Sequence, residues 1–268
     1  MRRAILIGLV YPNHKYELKG SLSDLYNFYS YLKGEAWDDL IVLTDIKDDP
    51  VKDNYIDSVE KGYIDPGIYT FITDIKQRNQ YKLVTKKEDI TNALLLSDQC
   101  LVYLTGHGYD KGYLIRDESI LSWEALRKAL FSTLTKDSQL MIIIDTCFGW
   151  HFNLPFLFEH DGYRLSGGAV FLYGQIVVIT TKGKEIASTN GGSITTQALL
   201  SCFKSGLREY KKIQEKIDHA LTETDILRLM NMRVNIYTNS CLIDRVWSWL
   251  WKRKDEYREY TNGIYFLS

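Results

Sequence analysis

Five continuous apolar runs sharply limit the folds that are open to this chain. The runs are RAILIGLV, DLIVLTD, CLVYLTG, LMIIIDT and GQIVVITT. Runs of this kind are typical of strands that are buried on both faces of a sheet. Between the first two runs, Leu22, Leu25 and Leu32 recur at helical spacing, and Gly34 marks the end of that helix. Alternating strands and helices predict an α/β fold with a mostly parallel central sheet.

The remaining segments are less uniform in pattern. Residues 47–65 are charged and weakly patterned, which predicts a loop. In TKKEDITNALLLSD, Thr85 and Glu88 have the spacing of a capping box and predict the start of a helix. Further helices are predicted for SWEALRKALFSTL, SITTQALLSCFKSG and YKKIQEKIDHALTE, and VNIYTNSC predicts a last strand. The tail DRVWSWLWKRK carries three tryptophans, which are interpreted as core covering.

Composition excludes several classes of function. The chain has 268 residues, of which 45% are hydrophobic, and a formal net charge of -1. That charge argues against nucleic acid as a partner, and no apolar run reaches the ~20 residues of a membrane span. The opening MRRAILIGLVYPN lacks a cleavage site, so it predicts a strand and not a signal peptide. Four widely spaced cysteines predict neither a disulfide framework nor a zinc site, which favours a reduced, cytoplasmic protein.

Two of the apolar runs end directly at a reactive side chain. His107 follows CLVYLTG, and Cys147 follows LMIIID after one threonine. In open parallel sheets, ligands bind at the carboxyl ends of the strands, so both side chains are expected at the same edge. A cysteine attacks as the thiolate, and a neighbouring histidine takes its proton and later protonates a leaving amine. The sequence therefore predicts that His107 and Cys147 form a catalytic pair.

The glycines beside the histidine suit the same chemistry. Gly106 and Gly108 let the backbone approach a substrate closely. The N–H of Gly108 and that of Cys147 are predicted to form an oxyanion hole. The other cysteines (Cys100, Cys202 and Cys241) are interpreted as inert core or structural residues. No phosphate-binding glycine loop follows the first strand, which argues against a nucleotide-binding protein.

The motifs YLTGHG and DTCFGWHFNLPF resemble the histidine and cysteine motifs of caspase-like peptidases, and of metacaspases in particular. LKGSLSDLYNFYSYL is similar to the helix start of that family, and the likeness extends to VVITTKGKEIASTNGGSITTQALL. The resemblance implies a caspase-haemoglobinase fold, a three-layer α-β-α sandwich. It also implies a single peptidase domain over residues 1–268, with a large-subunit-like part (1–160) and a small-subunit-like part (170–268).

The resemblance further implies a thiol endopeptidase that acts on polypeptides with a basic residue before the cut. The family positions that form its acidic specificity pocket fall here on Ser21, Asp24, Thr105 and Asp145. Two carboxylates favour arginine or lysine through charge-assisted hydrogen bonds. Taken singly, Asp24 also suits a helix start and Asp145 a strand-end turn.

Several departures from the family pattern modify these expectations. The usual C-H-S-G of metacaspases is CFGW here, so bulky Phe148 and Trp150 flank the nucleophile, and Asn153 replaces an aspartate that binds calcium in relatives that need it. Asp117 and Glu118 alone provide too little charge for a calcium site, so we expect no metal, no cofactor and little or no calcium dependence.

Other family properties stay open from the sequence. Many relatives cut themselves between the two parts of the domain, and Arg164, in a polar glycine-bearing segment interpreted as a loop, is one candidate position. Lys182 and Lys184 are alternatives.

A monomer is favoured. The alternative function is a catalytically inactive, caspase-like regulatory or binding protein, which the altered flanks of Cys147 favour and the retained His107–Cys147 pair disfavours.

Overall fold

The five apolar runs form parallel strands of one central sheet. The computed structural model describes residues 1–94, 98–135, 137–152, 156–159, 162–165, 175–182, 188–189, 191–204 and 233–238. The strands are β1 (Arg2–Gly8), β2 (Asp39–Thr44), β3 (Tyr81–Leu83), β4 (Gln99–Gly106), β5 (Gly108–Tyr109), β6 (Gly112–Leu114), β7 (Ile120–Ser122), β8 (Gln139–Thr146), β9 (Phe156–Glu159), β10 (Gly162–Leu165), β11 (Gln175–Lys182), β12 (Ser188–Thr189), β13 (Gly192–Ser193) and β14 (Arg233–Thr238).

Within the described residues, the central sheet has nine strands in the order β10-β9-β14-β11-β8-β4-β1-β2-β3. The six strands from β11 to β3 are parallel, whereas β14, β9 and β10 extend the sheet in antiparallel pairings. Parallel strands buried on both faces need helices above and below, which explains their uninterrupted apolar sequences. This is the mostly parallel α/β sheet that the sequence predicted.

Helices and short turns cover both faces of the sheet. The α-helices are α1 (Lys19–Leu32), α2 (Ile56–Glu60), α3 (Phe71–Gln77), α4 (Lys87–Thr91), α5 (Trp123–Phe131) and α6 (Ile194–Lys204). The 3₁₀ turns are Lys52–Asn54, Pro66–Thr70 and Gly149–His151.

The side chains of β8 show how the two faces divide. Met141 and Ile143 pack in a core cluster with residues of α1, α3 and α6, and this side is called the α1 face. Ile142 and Ile144 pack with residues of α4 and α5 in a second cluster, the α5 face. Successive residues of a strand point to opposite faces, so two separate cores result from one strand. The three-layer α-β-α arrangement is therefore confirmed.

The structure corrects two details of the sequence interpretation. The segment 47–65, predicted as a loop, contains the 3₁₀ turn Lys52–Asn54 and helix α2. Both are short elements that tertiary contacts support, such as the bond from the Tyr55 hydroxyl to the carbonyl of Lys19 (3.0 Å). At the start of α4, Asp89 and not Glu88 accepts the capping bonds, from Thr85 N–H at 2.8 Å and Lys86 N–H at 3.0 Å. The helix ends at Thr91.

Candidate active site

His107 and Cys147 lie at the carboxyl ends of two adjacent parallel strands. In the register between β4 and β8, Thr105 stands beside Asp145 and Gly106 beside Thr146. The next residue on each strand is His107 on one side and Cys147 on the other. Both side chains are only partly buried, in contrast to the fully buried strand residues before them. The strand pairing thus brings the two predicted catalytic residues to neighbouring positions at one edge of the sheet.

Gly108 packs directly on the backbone of Cys147. A Cβ atom at position 108 would lie 2.0 Å from the carbonyl oxygen of Cys147 and 2.7 Å from Oγ1 of Thr146. Contacts this short do not occur in folded proteins, so only glycine permits the two strand ends to approach so closely. On the other side, Thr181 Oγ1 donates to the carbonyl of Thr146 at 2.6 Å and fixes the end of β8.

The orientation of the His107 ring follows from one hydrogen bond. Its Nε2 lies 2.8 Å from the carbonyl oxygen of Tyr16. A carbonyl oxygen only accepts, so Nε2 carries the hydrogen and Nδ1 is the basic nitrogen of the neutral ring. The rings of Tyr11 and Tyr16 pack against the imidazole at centroid distances of 5.1 and 6.1 Å. The segment between β1 and α1 therefore sets both the tautomer and the position of the ring.

Tyr11 also holds the backbone of His107. Its hydroxyl accepts the N–H of His107 at 3.1 Å and donates to the carbonyl of Leu114 at 2.9 Å. The N–H of Tyr11 in turn donates to Asp45 Oδ2 at 2.8 Å. Burial is the main reason that the pKa values of Tyr11 and Asp45 are raised. A buried chain of bonds thus runs from the end of β2 to the histidine.

The environment of His107 favours its neutral form. Partial burial lowers the pKa of the imidazole below its ordinary value of 6.5, and the bond to the carbonyl of Tyr16 only partly opposes this shift. A neutral ring with an unprotonated Nδ1 is able to accept a proton at neutral pH. Chemically, the site contains a base and a thiol, the parts that nucleophilic catalysis requires.

Asp24 and Asp145 lie close to each other on the α1 face, near the strand ends that carry His107 and Cys147. Asp24 Oδ1 accepts the N–H of Ser193 at 2.7 Å, and Asp24 Oδ2 accepts the Thr105 hydroxyl at 3.4 Å. Burial raises the pKa of Asp24 well above its usual range, and the nearby carboxyl of Asp145 raises it further. The two acids are thus close enough to interact electrostatically.

Asp145 has one oxygen that is engaged and one that is not. The hydroxyl of Thr196 donates to Oδ2 at 2.6 Å. Burial raises the pKa of Asp145, while Ser193 and Thr196 oppose that shift. Only the bond from Thr196 has normal hydrogen-bond geometry, and Oδ1 accepts none from the described residues. A buried carboxylate oxygen without a donor is costly, so this atom favours a proton or an incoming cation.

The four predicted pocket residues are brought together only in part. Thr105 and Asp24 are hydrogen-bonded, and Asp145 lies beside Asp24. Ser21 lies one helical turn before Asp24 on α1, and its hydroxyl has no hydrogen-bond partner among the described residues. All four side chains are at most 1% exposed. The carboxyl groups are therefore covered in this structure, with Gly192 and Ser193 lying against Asp24.

Several residues that build the site have no signal in the sequence. Ser193 contacts Asp24 across 169 positions of sequence, and Tyr16 contacts His107 across 91. At the start of α6, Ser193 Oγ also accepts the N–H of Thr195 at 3.2 Å. Tyr11 has a distinctive backbone, with a positive φ of 56°, but no sequence pattern predicts it.

Several other residues named from the sequence lie in strands or outside the described residues. Arg164 lies in β10, a strand at the outer end of the sheet, and not in the loop expected for a self-cleavage position. Lys182 is the last residue of β11. Asn153, Lys184 and Cys241 lie outside the described residues, as do the helix predicted for YKKIQEKIDHALTE and the tryptophans of the tail.

Neither a metal site nor a membrane span is found in the described part of the chain. No three side chains of His, Cys, Asp or Glu in that part are grouped so as to hold a metal ion. No described helix has both the length and the apolar character needed to cross a bilayer.

One family model and several solved structures are similar to this chain. The family model described as "Caspase domain" (Peptidase C14) matches residues 1–244. The structure of protein GSU0716 from Geobacter sulfurreducens is similar, with a TM-score of 0.53, 11% identity, and coverage of 89% of this chain and 93% of that chain. Caspase-1 from Spodoptera frugiperda gives a TM-score of 0.49, 14% identity, and coverage of 89% and 86%. No curated protein matches significantly in sequence.

Proposed function

The chain belongs to the caspase-domain peptidase family, and on that basis we propose that it is a cysteine endopeptidase of the metacaspase type that cuts after arginine or lysine. The observation that carries the proposal is the placement of His107 and Cys147 at adjacent strand ends, with Gly108 packed on the backbone of the cysteine. A base and a thiol held at one sheet edge are the minimum that thiol catalysis needs.

In the proposed reaction, His107 moves protons and Cys147 forms the covalent bond. Nδ1 takes the thiol proton, and Sγ attacks the carbonyl carbon before the scissile bond, so that an electron pair moves onto the carbonyl oxygen. When the oxyanion collapses, the C–N bond breaks and Nδ1–H protonates the leaving amine. Water then gives a proton to Nδ1 and attacks the thioester. The C–S bond breaks, and the departing sulfur recovers the proton.

The N–H groups of Gly108 and Cys147 are proposed to bind the oxyanion. Gly108 stands opposite Tyr113 in the ladder between β5 and β6, and the neighbouring bond runs from Leu114 N–H to the carbonyl of His107 at 2.9 Å. This pattern makes Gly108 and Tyr113 a non-hydrogen-bonded pair of the antiparallel ladder. The ladder therefore leaves the amide of Gly108 to another acceptor.

Asp24 and Asp145 are proposed to recognise the positive charge of the substrate. Burial raises the pKa of both acids, and the charge of Asp145 raises that of Asp24 further, because buried negative charges are unfavourable without a cation. A guanidinium or ammonium group would restore the charged forms and supply a donor to Asp145 Oδ1. Because Gly192 and Ser193 cover Asp24, the substrate is proposed to displace this turn when it reaches the acidic pair.

Catalysis is proposed to need no cofactor and little or no calcium. The two acids at the expected calcium-binding stretch are already engaged with protein groups. Asp117 Oδ1 accepts the N–H of Ser119 at 3.0 Å and its hydroxyl at 2.6 Å, and Glu118 Oε1 lies 2.9 Å from Nε2 of His14. Titrating calcium into an activity assay tests this proposal, since a rise of about tenfold or more would contradict it.

We further propose a monomer that resides in the cytoplasm. Strand β14 is paired on both sides, with β11 and with β9, so a second copy cannot add to the sheet at that strand. Cys100, Cys147 and Cys202 form no disulfide with one another, as suits a reducing compartment. Self-cleavage after Arg164 is retained as a proposal, and release of β10 from the sheet would have to precede it.

The covered acids also support the second candidate, an inactive regulatory protein with the same fold. In this structure Ser193 N–H occupies Asp24 Oδ1, as a substrate donor otherwise would. A protein that never turns over a substrate has no need for that turn to move. The alternative predicts binding of basic peptides without hydrolysis, or no binding at all.

An irreversible probe separates the two candidates. A peptide chloromethyl ketone ending in arginine alkylates an activated thiol with loss of chloride, and mass spectrometry locates the thioether. We expect the arginine reagent to modify Cys147 and the matched aspartate reagent to modify it far more slowly. In His107→Ala, the rate of modification by the arginine reagent should fall by about 10²-fold or more. Absence of label on Cys147 over several preparations would contradict the peptidase and favour the regulatory protein.

A further inference from the structure

Three rings follow the nucleophile within four residues and form a cluster. Trp150 and His151 are stacked at a centroid distance of 3.9 Å with an interplanar angle of 28°, and Phe148 lies 6.0 Å from His151. All three side chains are partly exposed. We call Phe148, Trp150 and His151 the aromatic turn. Aromatic side chains beside a reactive thiol offer a contact surface that the reaction steps described above do not use.

The aromatic turn is held firmly by the structure beneath it. Arg127 Nη1 donates to the carbonyl of His151 at 3.1 Å, and the His151 N–H donates to the carbonyl of Phe148 at 3.0 Å. Phe152, the next residue, is fully buried and packs edge-on against Trp123 at 6.4 Å. A surface that is fixed before binding loses little conformational freedom when a ligand arrives.

The backbone at Phe148 supports a functional reason for this arrangement. Its φ of 56° is in the left-handed region, which bulky residues rarely adopt. Such conformations persist where the surrounding structure imposes them, and they concentrate at active sites. Glycine or asparagine would meet the same backbone requirement at lower cost, so the phenyl ring is not explained by the turn itself.

The acidic pair and the aromatic turn lie on opposite faces of the sheet. Asp145 belongs to the α1 face, where Thr196 of α6 and Asp24 of α1 contact it. Phe152, which anchors the turn, packs in the cluster of the α5 face. Cys147 stands between them at the strand end. A peptide that crossed this edge with its basic side chain on the α1 face would pass Cys147 and reach the aromatic turn on the α5 face.

We infer that the aromatic turn is a binding site for the substrate residue that follows the scissile bond, and that it prefers an aromatic or large apolar side chain there. This inference rests on the proposed function and adds to it the leaving side of the substrate. Ring contacts and apolar burial of this size distinguish such a residue from glycine by about tenfold in kcat/KM. The preference then comes from Phe148 and Trp150.

The test compares two internally quenched peptides that differ only after the cut, Arg-Phe against Arg-Gly. Wild type is expected to favour the phenylalanine peptide by about tenfold in kcat/KM. In Trp150→Ala the ratio is expected to fall towards one. Phe148→Asn provides a second variant, because asparagine tolerates the left-handed backbone while removing the ring. Tyr63→Ala, at an aromatic residue that is 58% exposed in another part of the surface, is the matched control and should keep the wild-type ratio.

A ratio near one in wild type, or an unchanged ratio in folded Trp150→Ala and Phe148→Asn, overturns the inference. If no peptide is cut, the proposed function fails and a binding assay decides the inference separately. Fluorescence anisotropy with Cys147→Ala should then show about tenfold tighter binding of the phenylalanine peptide, lost when Trp150→Ala is added. Equal affinity for the two peptides, or no binding of either, overturns it.

Discussion

Gly108→Ala sharply tests the contact between the two strand ends. The added methyl group would lie 2.0 Å from the carbonyl oxygen of Cys147, whereas real Cβ contacts essentially never fall below 3.0 Å. The carbonyl, or Gly108 itself, must therefore retreat by about 1 Å or more. Thr146 Oγ1 blocks part of the escape, at 2.7 Å from the same methyl group. Because Cys147 itself carries the carbonyl, the displacement moves the nucleophile relative to His107.

Two effects of this displacement are expected. Overpacking of a filled site costs about 1–3 kcal/mol of unfolding free energy. A misplacement of roughly 1 Å at reacting groups lowers the rate by about 10²-fold. Alanine keeps the amide N–H at position 108, so the loss would report geometry and not removal of an oxyanion donor. Gly34→Ala is the matched control, since its methyl group would meet only the Tyr31 carbonyl at 3.8 Å, an ordinary contact.

The assay combines thermal unfolding with hydrolysis of a fluorogenic arginine peptide. Gly108→Ala should unfold at a lower temperature and hydrolyse the peptide about 10²-fold more slowly, while Gly34→Ala should resemble wild type in both measurements. A folded Gly108→Ala protein with wild-type stability and wild-type turnover would show that the strand ends are not in contact as described.

Three further substitutions or conditions give independent tests. Asp24→Asn should abolish arginine cleavage yet raise the melting temperature at pH 7 by about 2–4 °C, roughly 1 kcal/mol, with no gain at pH 3. The reason is that a buried carboxyl with a raised pKa destabilises the fold as the pH rises above the ordinary pKa of 3.8. Equal gains in melting temperature at both pH values would contradict this prediction. In a pH–rate profile, the acid limb of kcat/KM should have its midpoint below pH 6.5, because burial lowers the pKa of His107. A midpoint above pH 6.5 would contradict the role of neutral His107 as the base. Tyr11→Phe removes the acceptor of the His107 N–H and the donor to Leu114, so denaturant unfolding should show a loss of about 1–3 kcal/mol, and a neutral effect would argue against the bond.

The strand ends could be predicted because they depend on local sequence. An apolar run long enough for a buried strand, followed by His107 or Cys147, leaves few other arrangements in a parallel sheet. The adjacency of β4 and β8 and the positions of α1, α5 and α6 agree with the same alternation. In these parts of the chain, burial of apolar side chains drives folding, and its periodicity is visible in the sequence.

The covering of the acids could not be predicted, because it depends on contacts between distant segments. The bond between Ser193 N–H and Asp24 joins a backbone group to a carboxylate, and any residue other than proline would supply the same donor. Helix α2 was missed for a similar reason, since five residues form a stable helix only when tertiary contacts support them. At β10, a polar and glycine-bearing segment pairs with β9 instead of forming a loop.

The proposed function requires that Cys147, which His107 activates, cuts polypeptides after a basic residue. The decisive measurement is hydrolysis of fluorogenic peptides ending in arginine, lysine or aspartate by wild type and by Cys147→Ala, each with and without calcium. We expect thiol-dependent release after arginine and lysine, none after aspartate, none in the variant, and little change with calcium. Release after aspartate, equal release by Cys147→Ala, or no release from any peptide would contradict the proposal.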